Sequence, residues 1–296
     1  MDVIELNLQD KDKQNQILQT LNGFVISSNK LSKLKTTFES ELEKGLKGSL
    51  KCSSLQMENT YIPEFINGQE EGSYLALDLG STNFRVMLLE LSKGKIIKEV
   101  IEYYSVKDET RLGPGVELFD FLAKCIEDFV TSKIKYDDRG PLPLGFCFSM
   151  PMKQQGLNVG ILVAWTKSFN ASGVEGQDVV KMLNEAITRR NNLKVNVIAI
   201  LNDTTGTLVK GHFDNPQTGI GLILGTGCNG AYLEDAGKIT NWQGGNKGKA
   251  KEVIIDPEFG AFGDNGCIDF VKTEADEELD LNSLLPRGKS ESCKNI

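Results

Sequence analysis

Apolar and polar positions alternate along this chain in blocks whose period changes several times. Between Gln16 and Gly48, Leu31, Leu34, Phe38, Leu42 and Leu46 recur at three- and four-residue spacing with charges between them, which predicts helix. Residues 49–72 are polar and irregular and read as a linker. Residues 73–106 give three strand-like runs separated by glycine turns. Val116–Lys133 returns to helical spacing, with Phe119, Leu122, Ile126, Phe129 and Val130 on one face. Strands follow at Leu144–Ser149 and Ile161–Trp165, then a helix over Asp178–Arg190 and a strand at Val195–Leu201. After Asp203 the pattern restarts: Gly219–Gln243 reads as strand, glycine turn, strand and a candidate third strand, with Gly80 and Gly225 at matching turns. Duplicated lobes facing one another form a cleft, which suits a ligand site. The second copy has fewer elements than the first, because residues 270–296 turn acidic and then polar.

Composition narrows the function classes. The chain has 296 residues, 40% of them hydrophobic, enough for a substantial core and for two lobes rather than one. Its net charge of −8 is the wrong sign for a nucleic-acid binder. No apolar run approaches the length of a membrane span, and the N-terminus lacks the basic and apolar regions of a signal peptide. Six scattered cysteines without a CxxC pair, and His212 as the single histidine, argue against structural zinc and a disulfide framework. The expectation is a cytoplasmic, reduced protein of mixed α/β type.

Four stretches carry candidate chemistry. Asp78-Leu-Gly-Ser-Thr-Asn-Phe-Arg85 joins two apolar runs. Glycine and small hydroxyl residues in such a turn expose backbone N–H groups to phosphate oxygens, and Asp78 suits a cation held through water. The same residue types also make an ordinary hairpin. Gly225-Thr-Gly-Cys-Asn-Gly230 fits the dinucleotide pattern GxGxxG, but Ala231–Glu234 continues as a strand where that fingerprint needs a helix. A second glycine hairpin facing the first fits better, so that two turns grip a polyphosphate. Asn202 and Asp203 end a buried strand, where a carboxylate can accept a hydroxyl proton or simply cap a helix. Thr166-Lys167 ends an apolar run and opens a polar loop: either a turn reaching solvent or a loop holding something with hydroxyl groups. Arg287-Gly-Lys-Ser290 resembles the end of a P-loop but lacks its first glycine, Ser283 standing there. His212 reads as a surface or helix-end residue, and Glu274–Asp280 as a solvated helix face.

These segments together resemble the hexokinase family. "LALDLGSTNFRVMLLEL" is similar to its first phosphate segment, and "GFCFSMPMKQQGLNVGILVAWTKSF" with "GVEGQDVV" to its sugar-binding segment. "LNDTTGTL" resembles the catalytic-aspartate segment, "GLILGTGCNGAYLE" the second phosphate segment and "DPEFGAFGDNG" the strand-loop after it. The resemblance runs in order from about Leu18 to Leu284. It implies an α/β, actin-like ATPase (ribonuclease H-like) fold of two lobes, with 1–68 belonging to the large lobe, 69–201 forming the small lobe and 202–296 beginning the large lobe. It implies transfer of the ATP γ-phosphate to the 6-hydroxyl of a glucose-type hexose, the first step of glycolysis, with Mg²⁺. Asp203 is then the base. Ser149, Thr166, Lys167, Asn202, Asn229 and Glu258 bind sugar hydroxyls. Asp78, Gly80, Ser81, Thr82, Asn83, Arg85, Gly225 and Thr226 lie at the phosphates and the metal ion.

Two departures from the family pattern stand out. Ser81 occupies a position where the family usually has a second glycine, so a Cβ crowds the turn. After Leu284 the family continues with a helix carrying another sugar-binding glutamate and an adenosine segment, whereas here "LPRGKSESCKNI" follows. The second lobe is therefore expected to be incomplete, and the alternative reading is a non-catalytic truncated relative that binds sugar or a partner.

Overall fold

The computed structural model describes residues 6–48, 52–62, 65–80, 83–134, 140–190, 192–225, 227–240, 242 and 251–282. Ser81, Thr82 and Thr226, expected at the phosphates, and the 287–290 segment lie outside the described residues, as does the side chain of Asn83.

The N-terminal helical region is two helices rather than one. Helix α1 spans Lys11–Gly23 and α2 spans Ser28–Leu46. The break has a local cause: Gly23 ends the first helix, and the Ser27 hydroxyl caps the second by accepting the Lys30 N–H at 3.3 Å. The apolar ladder of α2 is buried only towards its C-terminal end, where Leu46 is in the core while Leu31 is exposed.

The expected linker is part of the core. Leu55 and Met57 are buried, and β1 (Glu58–Asn59) pairs antiparallel with the later strand β11 (Glu252–Asp256), Glu58 opposite Asp256. A two-residue strand between Met57 and Tyr61, both at positive φ, has no periodicity to read.

The three runs that follow form a meander of β2 (Gly72–Leu79), β3 (Asn83–Ser92) and β4 (Lys95–Ser105). Strands β5 (Leu142–Phe148) and β8 (Val195–Leu201) extend it in parallel, giving the order β4-β3-β2-β5-β8. A short helix α3 (Asp108–Arg111) leads into α4 (Gly115–Lys133), whose expected apolar face is fully buried. With α5 (Val179–Thr188) it covers the sheet over a core that includes Phe84, Phe146 and Phe148. The hairpin β6 (Met152–Gly156) and β7 (Val159–Leu162) lies beside it. The strand expected over Ile161–Trp165 thus ends three residues early. Val163 N–H turns to the Pro151 carbonyl, and the Trp165 indole N–H donates to the Ala171 carbonyl at 2.8 Å inside the loop.

The repeat is a second antiparallel hairpin, β9 (Ile220–Leu224) and β10 (Cys228–Asp235), in a sheet of order β1-β11-β10-β9. Helix α6 (Asp203–Asp214) packs on it closely, since a Cβ at Gly221 would lie 2.5 Å from the Leu208 nitrogen. The third strand does not follow immediately. Asp235 accepts the Gly237 N–H at 2.7 Å and starts a 3₁₀ turn at Ala236–Lys238, so the strand appears only as β11. Helix α7 (Glu274–Leu281) is solvated, with Thr273 and Asp276 forming a capping box. No helix among the described residues is long and apolar enough to cross a membrane.

Candidate active site

Four loops meet between the two larger sheets: the turn after β5, the loop after β7, the β8–α6 junction and the segment after β11. Asn202 is the N-cap of α6, its Oδ1 accepting the Thr204 N–H at 2.9 Å. Asp203 is therefore the first helical residue and is not needed as the cap. Its Oδ2 lies 3.5 Å from Lys167 Nζ, both side chains being about one-quarter exposed. Lys167 and Ser168 are consecutive left-handed residues at φ 54° and 67°. Such backbone in non-glycine residues is uncommon and clusters at functional sites. Thr166 beside them donates to the Met150 sulfur at 3.1 Å.

Glu258 comes in from β11, also left-handed at φ 52°, and its Oε1 accepts the Asn202 amide at 3.3 Å. Burial drives its carboxyl well above the usual range, with Asp256, Asp203 and Glu58 adding to the shift and Lys167 opposing it. Asn229 Nδ2 donates to Thr204 Oγ1 at 3.1 Å and to Asp256 Oδ1 at 2.8 Å. Its Oδ1 accepts the Gly230 and Phe259 N–H groups. Four hydrogen bonds are all that an amide offers, so Asn229 spends its capacity inside the protein.

A second group surrounds the first glycine turn. Arg85 lies 3.0 Å from Asp78 Oδ2. Burial nevertheless raises the Asp78 carboxyl, Asp203 contributing and Arg85 opposing. The Cys147 thiol sits between Asp78 and buried Ser149, hydrogen-bonded to both, and burial pushes its pKa up. Gly80 follows β2 directly, and the Asn83 backbone pairs with Ser105. In the second glycine turn the Gly225 N–H donates to the Gly227 carbonyl at 2.9 Å, so that amide closes its own turn. His212 lies in the last turn of α6, stacked on Phe65.

Three residues of this neighbourhood escaped the sequence reading: Glu58, Thr204 and Asp256. Asp256 and Thr204 lie in segments that drew attention, two residues before Glu258 and one after Asp203. Glu58 lies in the stretch read as linker and carried no signal.

Comparison with known proteins places this geometry. A family model described as hexokinase matches residues 16–213, and a second with the same description matches 219–290. Hexokinase-1 of Mus musculus is 40% identical over 279 residues, covering 92% of this chain and 28% of that protein. Hexokinase-3 of Homo sapiens is 41% identical over 278 residues, covering 94% and 29%. Among solved structures, a hexokinase from Schistosoma mansoni complexed with glucose superposes with a TM-score of 0.83 at 35% identity, covering 95% of this chain and 62% of that one. The chain thus spans under a third of the length of these curated relatives. Matched in sequence and superposed in structure along almost all of its own length, this chain belongs to the hexokinase family and has the family's actin-like ATPase fold.

Proposed function

We propose that this chain binds a glucose-type hexose between its two larger sheets and serves transfer of the ATP γ-phosphate to the 6-hydroxyl, in the cytoplasm, as the first step of glycolysis. The observation that carries the reading is the convergence of Lys167, Asp203, Asn202 and Glu258, drawn from three separate loops, into adjoining contacts. A carboxylate beside an ammonium, flanked by an amide and a second carboxyl, offers the mix of donors and acceptors that a polyhydroxylated ring needs. The Schistosoma relative, complexed with glucose, supports that substrate class.

In the proposed reaction the 6-hydroxyl oxygen bonds to the γ-phosphorus, the bond from that phosphorus to the ADP oxygen breaks, and the hydroxyl proton passes to Asp203. Lys167 steadies the Asp203 charge before transfer. Ser149, Thr166, Asn202 and Glu258 hold the sugar, while Asn229 holds the frame behind them. Phosphoryl transfer rests mainly on such positioning and on charge neutralisation.

Mg²⁺ fits Asp78 through water. That carboxylate already takes Arg85 and Cys147, and among the described residues no group of three or more His, Cys, Asp or Glu side chains could hold a metal directly. Asp78 would hold a hydrated Mg²⁺, and the ion would neutralise phosphate charge. In this reading, residues 1–68 and 202–296 belong to one lobe and 69–201 to the other.

Titration calorimetry of the 296-residue chain with glucose tests the reading, followed by a coupled assay for glucose 6-phosphate with MgATP. Saturable heat is expected. Folded protein that gives none up to high glucose would overturn it.

A further inference from the structure

Five residues close a ring of hydrogen bonds behind the cleft. Asn202 Nδ2 donates to Glu258 Oε1, and the Glu258 N–H donates to Asp256 Oδ1 at 3.2 Å. Asn229 Nδ2 donates to that same Asp256 oxygen and to Thr204 Oγ1. The Thr204 hydroxyl donates to Asn202 Oδ1, which completes the circuit. Thr204 is 0% exposed and Asp256 4%, and the polar atoms of both are engaged within the ring.

We propose that Thr204 and Asp256 are positioning residues that lock Asn202 and Glu258 into one sugar-facing pair. The inference rests on the hexose reading above and deepens it.

Proton directions in the ring are fixed. A threonine hydroxyl has one hydrogen. It goes to Asn202, so Thr204 must accept from Asn229. Asn202 Oδ1 is thereby held towards the helix and its Nδ2 towards Glu258. One Nδ2 hydrogen of Asn202 and the Oε2 of Glu258 are outside the ring. An amide hydrogen and a carboxyl oxygen stand side by side, and a sugar hydroxyl, which both donates and accepts, can pair with each. Asp256 supplies the other restraint. Glu258 is left-handed, a conformation that a side chain with a Cβ adopts only when its surroundings hold it. Asp256 lies in β11, opposite Glu58 of β1, and pins the Glu258 amide from a rigid strand.

The ring uses only one oxygen of Asp256, so an amide at that position should still serve. Four variants of the full 296-residue chain test this: Thr204→Val, Thr204→Ser, Asp256→Ala and Asp256→Asn. Glucose affinity is measured on protein whose folded fraction has been established by circular dichroism. Hydrogen exchange of the Glu258 N–H is followed by NMR without ligand. Thr204→Val and Asp256→Ala should each weaken glucose binding by about tenfold, the size of one lost buried hydrogen bond. Thr204→Ser and Asp256→Asn should stay within about threefold of the parent protein. Exchange at Glu258 should speed up by about tenfold or more in Asp256→Ala and stay near the parent rate in Asp256→Asn.

A merely structural role would lower stability yet leave the affinity of the folded fraction unchanged, and that result overturns the proposal. Asp256→Asn binding as weakly as Asp256→Ala would also overturn it, because charge and not the acceptor would then be the agent. If the parent protein binds no glucose, the hexose reading fails by itself. The exchange data still decide the ring: unchanged Glu258 protection in Asp256→Ala would sink it, and selective loss would uphold it.

Discussion

Lys167 Nζ stands 3.5 Å from Asp203 Oδ2, joining the loop after β7 to the first turn of α6. Both side chains are partly exposed, and ion pairs of that kind contribute only about 0–1 kcal/mol to folding. Lys167→Met should therefore leave the thermal midpoint within about 3 °C of the parent. Transfer should fall much further, by about tenfold to a hundredfold, if the ammonium steadies the base and meets the sugar as proposed. Melting curves and the coupled assay, run on the same preparation, separate the two effects. A variant that keeps its turnover would place Lys167 outside the chemistry.

Asp203 is expected to matter for transfer and little for the helix it begins. Asn202 supplies the cap, so Asp203→Ala removes a first-turn carboxylate, worth about 0.3–1 kcal/mol, with its partly exposed pairing to Lys167 and a second acceptor for the Thr204 N–H that Asn202 already satisfies. Loss of a general base lowers turnover by about 10²–10⁴-fold. Glucose affinity should change by less than about tenfold, since Asn202, Glu258 and Thr166 are untouched. Calorimetry beside a coupled assay measures both quantities. Most of the parent turnover surviving in Asp203→Ala would reduce this residue to a helix terminus.

Long periodic elements were legible in the sequence, and short ones tied by distant partners were not. The buried face of α4 follows from the spacing of Phe119, Leu122, Ile126 and Phe129, because each turn of a packed helix repeats the same contact. The β2–β3 and β9–β10 hairpins were marked by Gly80 and Gly225. By contrast, β1 owes its place to Asp256 almost two hundred positions away, and two residues cannot show a period. The break between α1 and α2 depends on a serine cap, Ser27, inside the Gln16–Gly48 stretch that reads as helical and ahead of its Leu31–Leu46 ladder. In the site, Asn202, Asp203, Thr166 and Lys167 were marked as polar residues at the ends of apolar runs. The internal saturation of Asn229 was invisible, because it depends on Thr204, Asp256 and Phe259 arriving from three elements.

The β9 strand should make this chain prone to self-association. Ile220, Leu222 and Leu224 are 69%, 50% and 74% exposed, alternate along a sheet-edge strand and point away from α6. Such an apolar edge is a template for strand pairing and for apolar contact. Replacing Leu222 by Thr and Leu224 by Lys should shift sedimentation profiles towards monomer at tens of micromolar protein. These residues are outside the main core, so stability should change by less than about 1 kcal/mol. Identical sedimentation of parent and variant would show that this edge does not drive association.

Glu58 should make stability fall as pH rises towards neutrality. It joins two parts of the fold: its Oε1 accepts the Gln56 amide at 2.9 Å, and its Oε2 accepts the Gln154 N–H of β6 at 3.3 Å. Burial raises its pKa from 4.5 to about 7, the two hydrogen bonds opposing and Asp256 adding to the rise. Between those values the folded chain keeps a proton that the unfolded chain has released. Stability contributed by this proton is complete below about pH 4.5, declines across the window and is gone above about pH 7. A fully secluded carboxyl with that shift would account for about 3 kcal/mol; Glu58 keeps some solvent contact, so roughly 1–2 kcal/mol is expected. Asp256 and Glu258, also raised by burial, tilt the curve the same way. Glu58→Gln removes the titration but leaves one acceptor oxygen where two were used, a pH-independent loss of about 1 kcal/mol. The variant should thus be less stable than the parent at pH 5 and draw level with it or overtake it by pH 8. Urea unfolding at unit steps between pH 5 and pH 8 gives both curves. Parallel curves would mean that Glu58 is already ionised in the folded protein and that its charge is satisfied by Gln56 and Gln154.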